Sequence, residues 1–313
     1  MTQETETDAW TRYWQANNLD SCIAGGGAVD ERDVFDLWAA FLASLPSGVS
    51  IIDLAAGNGA VSVRLLKAAQ KASMDVSIHA VDLAEINPGQ FAGDQAKSGT
   101  NLKHSGGIDI SEMPFPDKSF GAAVSQFGFE YADTGSAAIE MLRILKADGH
   151  FQLLIHHSES ALVVPNLAKI PEIDLLVAPN GVIDRLYAFL KASEPDQGTA
   201  MAELEKAGQE IAARYTSGLP QITQEIFSAV HQLIERKDLG FSTRLNAAKD
   251  MTARLKAEQE RMRQLGRAAL RAEDIKALIT TLESHGATSV SANDFRVGKD
   301  AALLGWLIQG QKT

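Results

Sequence analysis

Two acidic side chains and two glycines near the start of the chain have the spacing of a nucleotide-binding loop. The segment Asp53-Leu-Ala-Ala-Gly-Asn-Gly59 follows an apolar, β-branched run and precedes a helical pattern. Glycines at these positions let the backbone turn sharply and let a ligand approach the main chain closely. Asp82, 23 residues after Gly59, ends the next apolar run. A carboxylate there can accept hydrogen bonds from both hydroxyls of a ribose, so the predicted ligand contains adenosine.

Two classes of ligand compete for such a loop. A dinucleotide site prefers a third glycine, and Ser62 stands in its place. Asp53 would also repel a pyrophosphate, whereas an acid at this position suits a ligand that carries an amino group and a sulfonium. This chemistry favours S-adenosylmethionine and leaves a nicotinamide dinucleotide as the more distant alternative.

The elements around these residues alternate between strands and helices. Short apolar runs predict strands at 49–54, 76–82, 119–127 and 151–157 and a short strand within 102–110, and helical spacing predicts helices at 31–44, 60–72 and 137–145. From 158 to 284 the signals are almost only helical, and two final strands are predicted at 287–295 and 301–309. The order strand, glycine loop, helix, strand implies a parallel sheet with right-handed crossovers, into which the helical block is inserted.

Several segments, in the right order, resemble the motifs of class I S-adenosylmethionine-dependent methyltransferases. The segments that carry the resemblance are 53–59 for the first motif, Asp82 for the acid after the second strand, 108–120 before the fourth strand, Leu145-Lys-Ala-Asp-Gly149 for the turn before the fifth, and Leu304-Gly-Trp-Leu-Ile308 for the last strand. Together they cover about residues 35–157 and 287–310. After the fourth strand the sequence is Ser125-Gln-Phe-Gly-Phe-Glu-Tyr131, without the Asn/Asp-Pro-Pro-Tyr/Phe motif. This departure argues against methylation of exocyclic base amines or glutamine amides.

The resemblance implies a fold and a division of the chain. The expected fold is an α/β, Rossmann-like, doubly wound and mostly parallel seven-stranded sheet, with a C-terminal antiparallel strand and a large helical insertion between strands five and six. An N-terminal helical segment is expected at 1–45, the cofactor-binding core at 46–157 and 286–313, and the helical insertion at 158–285. We expect this insertion to cap the acceptor pocket and exclude water.

The resemblance also implies a set of residues around S-adenosylmethionine. These are Asp53, Ala55, Gly57, Asn58 and Gly59 at the first loop, Asp82 and Leu83 at the ribose and adenine, Asp109 and Ile110 beside the adenine, and Gln126 and Phe127 near the sulfonium. The alternative for each polar member is a strand-end side chain that bonds only to the backbone.

Residues just after the fourth and fifth strands are expected to face the methyl acceptor, because ligands bind beyond the carboxyl ends of such strands. The candidate catalytic residues are Glu130, Tyr131, His156 and His157. A neutral histidine could take a proton from a hydroxyl or an amine. Since adjacent residues of a strand point to opposite faces, at most one of the two histidines is expected to line the site. Transfer by proximity and in-line geometry alone is the alternative.

Further features leave their alternatives open. Trp10, Tyr13 and Trp14 could cover the cofactor or line the acceptor pocket, although their spacing on one helix face favours ordinary packing. Cys22 is not expected to be a nucleophile. The triple glycine at 25–27 predicts a loop that could gate cofactor entry.

Composition and charge limit the remaining function classes. The chain has 313 residues, a net charge of −11 and one cysteine, which excludes an intramolecular disulfide and a thiolate zinc site. We expect a cytoplasmic protein, no metal and no membrane contact. The sequence leaves the oligomeric state open, with a homodimer through the insertion as one arrangement. The acidic balance argues against nucleic acid, yet residues 236–271 hold ten basic and four acidic side chains. The predicted activity is methyl transfer to an oxygen or nitrogen atom of a small molecule. The alternatives are RNA or protein methylation, docked through 236–271, and a non-catalytic cofactor-binding module.

Overall fold

One seven-stranded sheet forms the centre of the structure, which is a computed structural model that describes residues 10–11, 13–15, 31–87 and 101–313. The strands are β1 (Val49–Leu54), β2 (Val76–Val81), β3 (Asn101–Ser105), β4 (Phe120–Gln126), β5 (Leu145–His156), β6 (Ala287–Val297) and β7 (Ala302–Lys312). Their order across the sheet is β3-β2-β1-β4-β5-β7-β6. The first five are parallel, and β7 runs antiparallel to both of its neighbours. The predicted fold class is confirmed.

Ten helices of the described residues accompany the sheet. They are α1 (Glu31–Ala43), α2 (Ala60–Ala72), α3 (Thr134–Ile144), α4 (Val163–Leu167), α5 (Ile170–Val177), α6 (Val182–Lys191), α7 (Gln197–Ala212), α8 (Gln221–Glu235), α9 (Phe241–Ala268) and α10 (Ala272–Ser284). Short 3-10 turns lie at Phe129–Tyr131 and Glu194–Asp196. Among these described helices, none is both long and apolar enough to cross a bilayer.

Helices cover both faces of the central strands, which is why those strands are apolar without alternation. Ile51 of β1 packs with Trp38 of α1 and Leu65 of α2 on one face. The next residue, Ile52, packs on the other face, in the core that holds residues of α3 and α10. Buried apolar surface on both faces therefore fixes the sheet, and only the strand ends remain available for chemistry.

One element boundary differs from the sequence prediction. Strand β5 begins at Leu145, as soon as α3 ends, whereas the predicted strand begins at 151, so the predicted turn at 147–149 lies within the bounds of β5. Its pairing with β4 shifts register between Phe120 and Ala122, and Asp148 adopts a left-handed φ of 61°. The short strand expected within 102–110 is β3, which ends at Ser105 because Gly106 and Gly107 follow and Gly107 has a φ of 69°. Residues 106–110 instead form a loop.

The chain divides into two compact units. One comprises Met1–Val164 with Arg267–Thr313, and the other is Pro165–Gly266. The second unit is helical and has a core of its own, which includes Ile173, Leu186 and Leu255. Helix α10 packs in the sheet core, although the predicted insertion extends to residue 285. The domain bounds drawn from the sequence stay a prediction.

Candidate active site

The candidate residues meet at one edge of the sheet. Asp53 is the penultimate residue of β1, Asp82 follows β2, Gln126 ends β4 and His156 ends β5. All four strands are parallel, so their carboxyl ends share this edge. Strand β1 lies between β2 and β4, where the direction of the connections reverses. Open α/β sheets bind ligands in the crevice that forms at such a point.

The loop between β1 and α2 depends on left-handed backbone at three residues. Ala55, Gly57 and Gly59 have φ angles of 50°, 51° and 78°. The backbone N–H of Ala56 donates to the carbonyl of Val81 at 2.9 Å, which ties the loop to β2. Gly59 is the N-cap of α2 and supplies no capping side chain. The helix N-terminus is therefore free to be capped from elsewhere.

Asp53 provides that cap. One carboxylate oxygen, Oδ2, accepts hydrogen bonds from the Ser62 hydroxyl at 2.6 Å and from the Ser62 N–H at 3.1 Å. The other oxygen, Oδ1, is buried and has no hydrogen-bond partner among the residues that the structure describes. Burial raises the pKa of the carboxyl to about 7, and the bonds from Ser62 oppose that rise. An unpaired, buried carboxylate oxygen suits a cationic group of a ligand.

Asp82 is held by backbone donors at the end of β2. Gly57 donates to Oδ2 and Ala84 donates to Oδ1, each at 2.8 Å. Burial raises the pKa of Asp82 to about 6, although these hydrogen bonds act in the opposite direction. Leu83, beside it, exposes 38% of its surface, which is unusual for a leucine in this chain. An acid next to an exposed apolar side chain offers partners for a ribose and for the face of an adenine.

The loop after β3 brings the predicted adenine residues next to Asp82. The Ile108 N–H donates to the Asp82 carbonyl at 2.9 Å. Asp109 accepts a hydrogen bond from the Ser111 N–H at 2.8 Å, so its side chain closes a local turn. Ile110 is buried in the sheet core. Of this pair, only Asp109 keeps partly exposed surface.

Gln126 and Phe127 end β4 in a fixed orientation. The Gln126 amide oxygen accepts a hydrogen bond of 2.8 Å from the indole N–H of Trp38, which is fully buried in α1. Phe127 has a left-handed φ of 55° and stacks on His156, with ring centroids 4.4 Å apart. Trp38 is a supporting residue that the sequence analysis did not single out, because its apolar helix neighbours marked it as core.

A buried histidine–carboxylate pair lies at the ends of β4 and β5. The Nδ1 atom of His156 is 2.6 Å from Oε1 of Glu130, and the same oxygen accepts from the His156 backbone N–H at 2.7 Å. Both side chains are fully buried. Oε2 of Glu130 has no hydrogen-bond partner in the described part of the chain. Tyr131 packs edge-on to the imidazole at a centroid distance of 6.1 Å. Three of the four predicted catalytic residues are thus together.

His157 is not part of this group. Its ring stacks on Trp306 at 4.3 Å, and its Nδ1 accepts a hydrogen bond from the Glu159 N–H at 2.9 Å. Trp306 belongs to the core that includes α3 and α10, whereas Phe127, which stacks on His156, belongs to the opposite core. The two histidines therefore point to different faces, as strand alternation requires.

The aromatic cluster of the sequence lies over the glycine loop. A Cβ atom on Gly57 would overlap the ring of Trp14. The Asn58 side chain donates to the Trp14 carbonyl at 2.8 Å and accepts from the Asn87 N–H at 3.2 Å, so Asn58 joins three segments. Trp10 packs edge-on against Tyr131 at 5.6 Å. Cys22 and the triple glycine at 25–27 lie outside the described residues.

The chemistry of this edge fits S-adenosylmethionine. Three carboxyl groups, Asp53, Asp82 and Glu130, lie at neighbouring strand ends, and two of them have a buried oxygen that lacks a partner within the described ranges. Such a site favours a ligand with an ammonium, a sulfonium and donor hydroxyls over one with a pyrophosphate. Among the residues that the structure covers, no group of three or more histidine, cysteine or acidic side chains could hold a metal ion.

Comparison with known proteins gives the class of this chain. Residues 51–149 match the family model of a methyltransferase domain. The ubiquinone/menaquinone biosynthesis C-methyltransferase UbiE of Enterobacter sp. (strain 638) is 27% identical over 192 residues, which cover 56% of this chain and 72% of that protein. UbiE of Rickettsia bellii (strain OSU 85-389) is 28% identical over 195 residues, 57% of this chain and 76% of that one. The YcgJ protein of Bacillus subtilis aligns with a TM-score of 0.40 at 14% identity, covering 90% of this chain and 99% of that one.

The matched domain, the strand order and the site chemistry agree. Together they support a class I S-adenosylmethionine-dependent methyltransferase. It is an enzyme, and its methyl donor is S-adenosylmethionine. The resemblance noted in the sequence and the predicted cofactor are confirmed, while the role of each site residue stays a prediction.

Proposed function

We propose that this methyltransferase acts on an oxygen or nitrogen atom of a small molecule, with His156 as the base that receives the acceptor's proton. The observation that carries the proposal is the 2.6 Å contact between His156 Nδ1 and Glu130 Oε1, both fully buried at the candidate site. A carboxylate at Nδ1 holds the proton there and makes Nε2 the basic nitrogen of a neutral imidazole. Because this pair lies below the surface, we expect its acceptor to be a small molecule that enters the site, and not a folded protein or an RNA.

Each group of the site has a proposed task. Asp53 binds the ammonium group of the cofactor, Asp82 binds the ribose hydroxyls, and Leu83 contacts the adenine. When bound, S-adenosylmethionine supplies an electrophilic methyl group on a sulfonium. Gln126 and Phe127 position the acceptor near it. Holding the acceptor close to the methyl group gives a large part of the rate of such a transfer. His156 adds a second contribution, because it removes the acceptor's proton.

A carbon acceptor is the second candidate, because the curated relatives are named C-methyltransferases. The same histidine serves this reaction if the acceptor is a phenol. It removes the hydroxyl proton, a ring carbon of the phenolate takes the methyl group, and that carbon then loses its own proton to water as the ring becomes aromatic again. The two candidates therefore share the base and differ in which acceptor atom faces the methyl group.

The product distinguishes them. The full-length enzyme would be incubated with S-adenosylmethionine labelled with ¹³C on the methyl group and with phenols, hydroquinones and amines, and the ¹³C shift would separate O-, N- and C-methyl products. Label in an added RNA or protein fraction, with none in the small molecules, would overturn the proposal.

Adjacent histidines provide a matched pair of variants for the proposed base. His156→Asn is expected to reduce kcat by about 10²- to 10⁴-fold, the usual contribution of one general base, while S-adenosylmethionine affinity changes little. His157→Asn, which removes a ring that stacks on Trp306, is expected to retain kcat within about threefold. Melting temperatures of both variants check folding. A folded His156→Asn enzyme with normal kcat would exclude His156 as the base.

A further inference from the structure

We propose that Ser62 is a positioning residue for the cofactor: it binds one oxygen of Asp53, leaves the other for the cofactor's ammonium group, and so sets the pH range in which the cofactor binds. The inference rests on the proposed role of Asp53. It goes further because it assigns a function to the residue that replaces the third glycine of a dinucleotide loop.

The contacts separate the two oxygens of one carboxylate. Ser62 is fully buried in the first turn of α2, and both its hydroxyl and its N–H donate to Asp53 Oδ2, at 2.6 and 3.1 Å. Oδ1 is buried and lacks a hydrogen-bond partner within the described ranges. A buried acceptor without a donor is costly unless a ligand supplies one. Ser62 therefore makes Oδ2 the structural oxygen and Oδ1 the binding oxygen.

The hydroxyl of Ser62 also favours the charged form of Asp53. Burial raises the pKa of Asp53 to about 7, and the side-chain hydrogen bond from Ser62 is the largest influence that lowers it. The other charged groups that face Asp53 are Asp82, which raises the pKa, and Arg64 of α2, which lowers it. Because an ammonium group binds the ionised carboxylate, affinity should increase as the pH rises through this pKa.

Removing the hydroxyl should move this transition without removing the binding oxygen. Calorimetric titration of the full-length protein with S-adenosylmethionine, between about pH 5.5 and about pH 9, gives affinity against pH. In Ser62→Ala the midpoint should rise by about one pH unit, the size expected for one hydrogen bond to a charged group. Affinity should then be about tenfold weaker near pH 6.5 and within about threefold of the wild type near pH 9. The cofactor's own amino group titrates equally in both proteins, so it cancels in the comparison.

Two further variants test whether the hydroxyl itself is responsible. Ser62→Thr retains a hydroxyl and should restore the wild-type pH midpoint. Ser193→Ala is the control, because the Ser193 hydroxyl also donates to a carboxylate at 2.6 Å, that of the exposed Asp196. This variant should leave the dependence of affinity on pH unchanged. Proton release on binding, obtained by repeating the titration in buffers of different ionisation enthalpy, should be larger for Ser62→Ala than for the wild type near neutral pH.

A purely structural role predicts a different result. If the Ser62 hydroxyl only stabilises the first turn of α2, Ser62→Ala would lower the melting temperature and reduce affinity by the same factor at every pH, or not at all, and either outcome overturns the inference. Turnover is measured separately. An enzyme with the shifted profile but no methylated small molecule would leave the Ser62 inference standing and remove the proposed acceptor class.

Discussion

At the residue scale, the ionised form of the Asp53 carboxyl group, which is proposed to bind the cofactor, destabilises the folded protein. Its pKa in the native protein is about 7, well above the value of about 3.9 in an unfolded chain. Between these values the native state holds the proton more tightly than the unfolded state does, so this group's contribution to stability falls as the pH rises from about 4 to about 7. The negative charge of Asp53 therefore lowers the free energy of unfolding at neutral pH.

Asp53→Asn should make the protein more stable and weaken its binding of the cofactor. The amide cannot ionise, so the apo variant should be more stable than the wild type above about pH 7, on the order of 4 kcal/mol, and nearly equal to it near pH 4. Its affinity for S-adenosylmethionine should fall at least about tenfold, because the ammonium group loses its counter-charge. Thermal unfolding across this pH range and calorimetric binding provide the two measurements. A stability difference that does not vary with pH would contradict the linkage.

At the element scale, the loop between β1 and α2 depends on Gly57. Its φ of 51° is left-handed, and a Cβ atom would overlap the Trp14 ring. Gly57→Ala should therefore destabilise the protein by about 1–2 kcal/mol and weaken cofactor binding. Gly198→Ala is the control, because Gly198 is the second residue of α7 with open space around its Cβ position in the described structure, and it should not lower stability.

A double-mutant cycle separates the two causes of strain at Gly57. If the aromatic ring contributes, Trp14→Ala should recover part of the loss in Gly57→Ala, with a coupling energy of about 0.5–3 kcal/mol in denaturant unfolding. Strictly additive losses would assign the whole effect to the backbone and would place the Trp14 ring away from this loop in solution.

The local sequence was enough to predict that the strands of the sheet exist, whereas the residues at which they begin and end depend on their pairing with other strands. The runs at 49–54 and 76–82 predict β1 and β2 within one residue, because a buried parallel strand is apolar throughout. The start of β5 was missed for a tertiary reason. Leu145 pairs with Phe120 and His150 with Ala122, so residues 146–149 form the register shift between these pairs, and no local propensity encodes that pairing.

In the candidate site, too, the local sequence predicted some residues, while contacts between residues far apart in the chain were not predictable. Asp53, Gly57 and Asp82 were predictable, because each stands at a strand end and the carboxyl ends of parallel strands share one edge. The pairing of Glu130 with His156 was not, since the residues are 26 positions apart and meet only because β4 and β5 are neighbours. Nor did the sequence place Trp14 over the glycine loop.

At the scale of the whole molecule, charge is distributed unevenly along the chain. The net charge is −11, although residues 236–271 carry six more basic than acidic side chains. This stretch contains most of α9, in which Lys249 and Lys256 are exposed and lie seven residues apart, on one face of the helix. Arg263, a further seven residues on, pairs with Asp174 at 2.8 Å. Part of the basic charge is thus neutralised within the helical unit.

If the acceptor is a small molecule, this basic face should not affect transfer. Reversing both lysines, as Lys249→Glu with Lys256→Glu, should leave kcat/KM for a small acceptor within about twofold, since exposed single charges contribute little. Lys206→Glu, on the exposed face of α7, is the control for a lysine reversal outside α9. Docking of an anionic polymer through α9 makes the opposite prediction. Transfer would then fall steeply with salt in the wild type, and the double reversal would reduce both the transfer and its salt dependence. Steady-state kinetics at low and high salt therefore distinguish a small acceptor from an RNA acceptor, because only the RNA would need the basic face of α9.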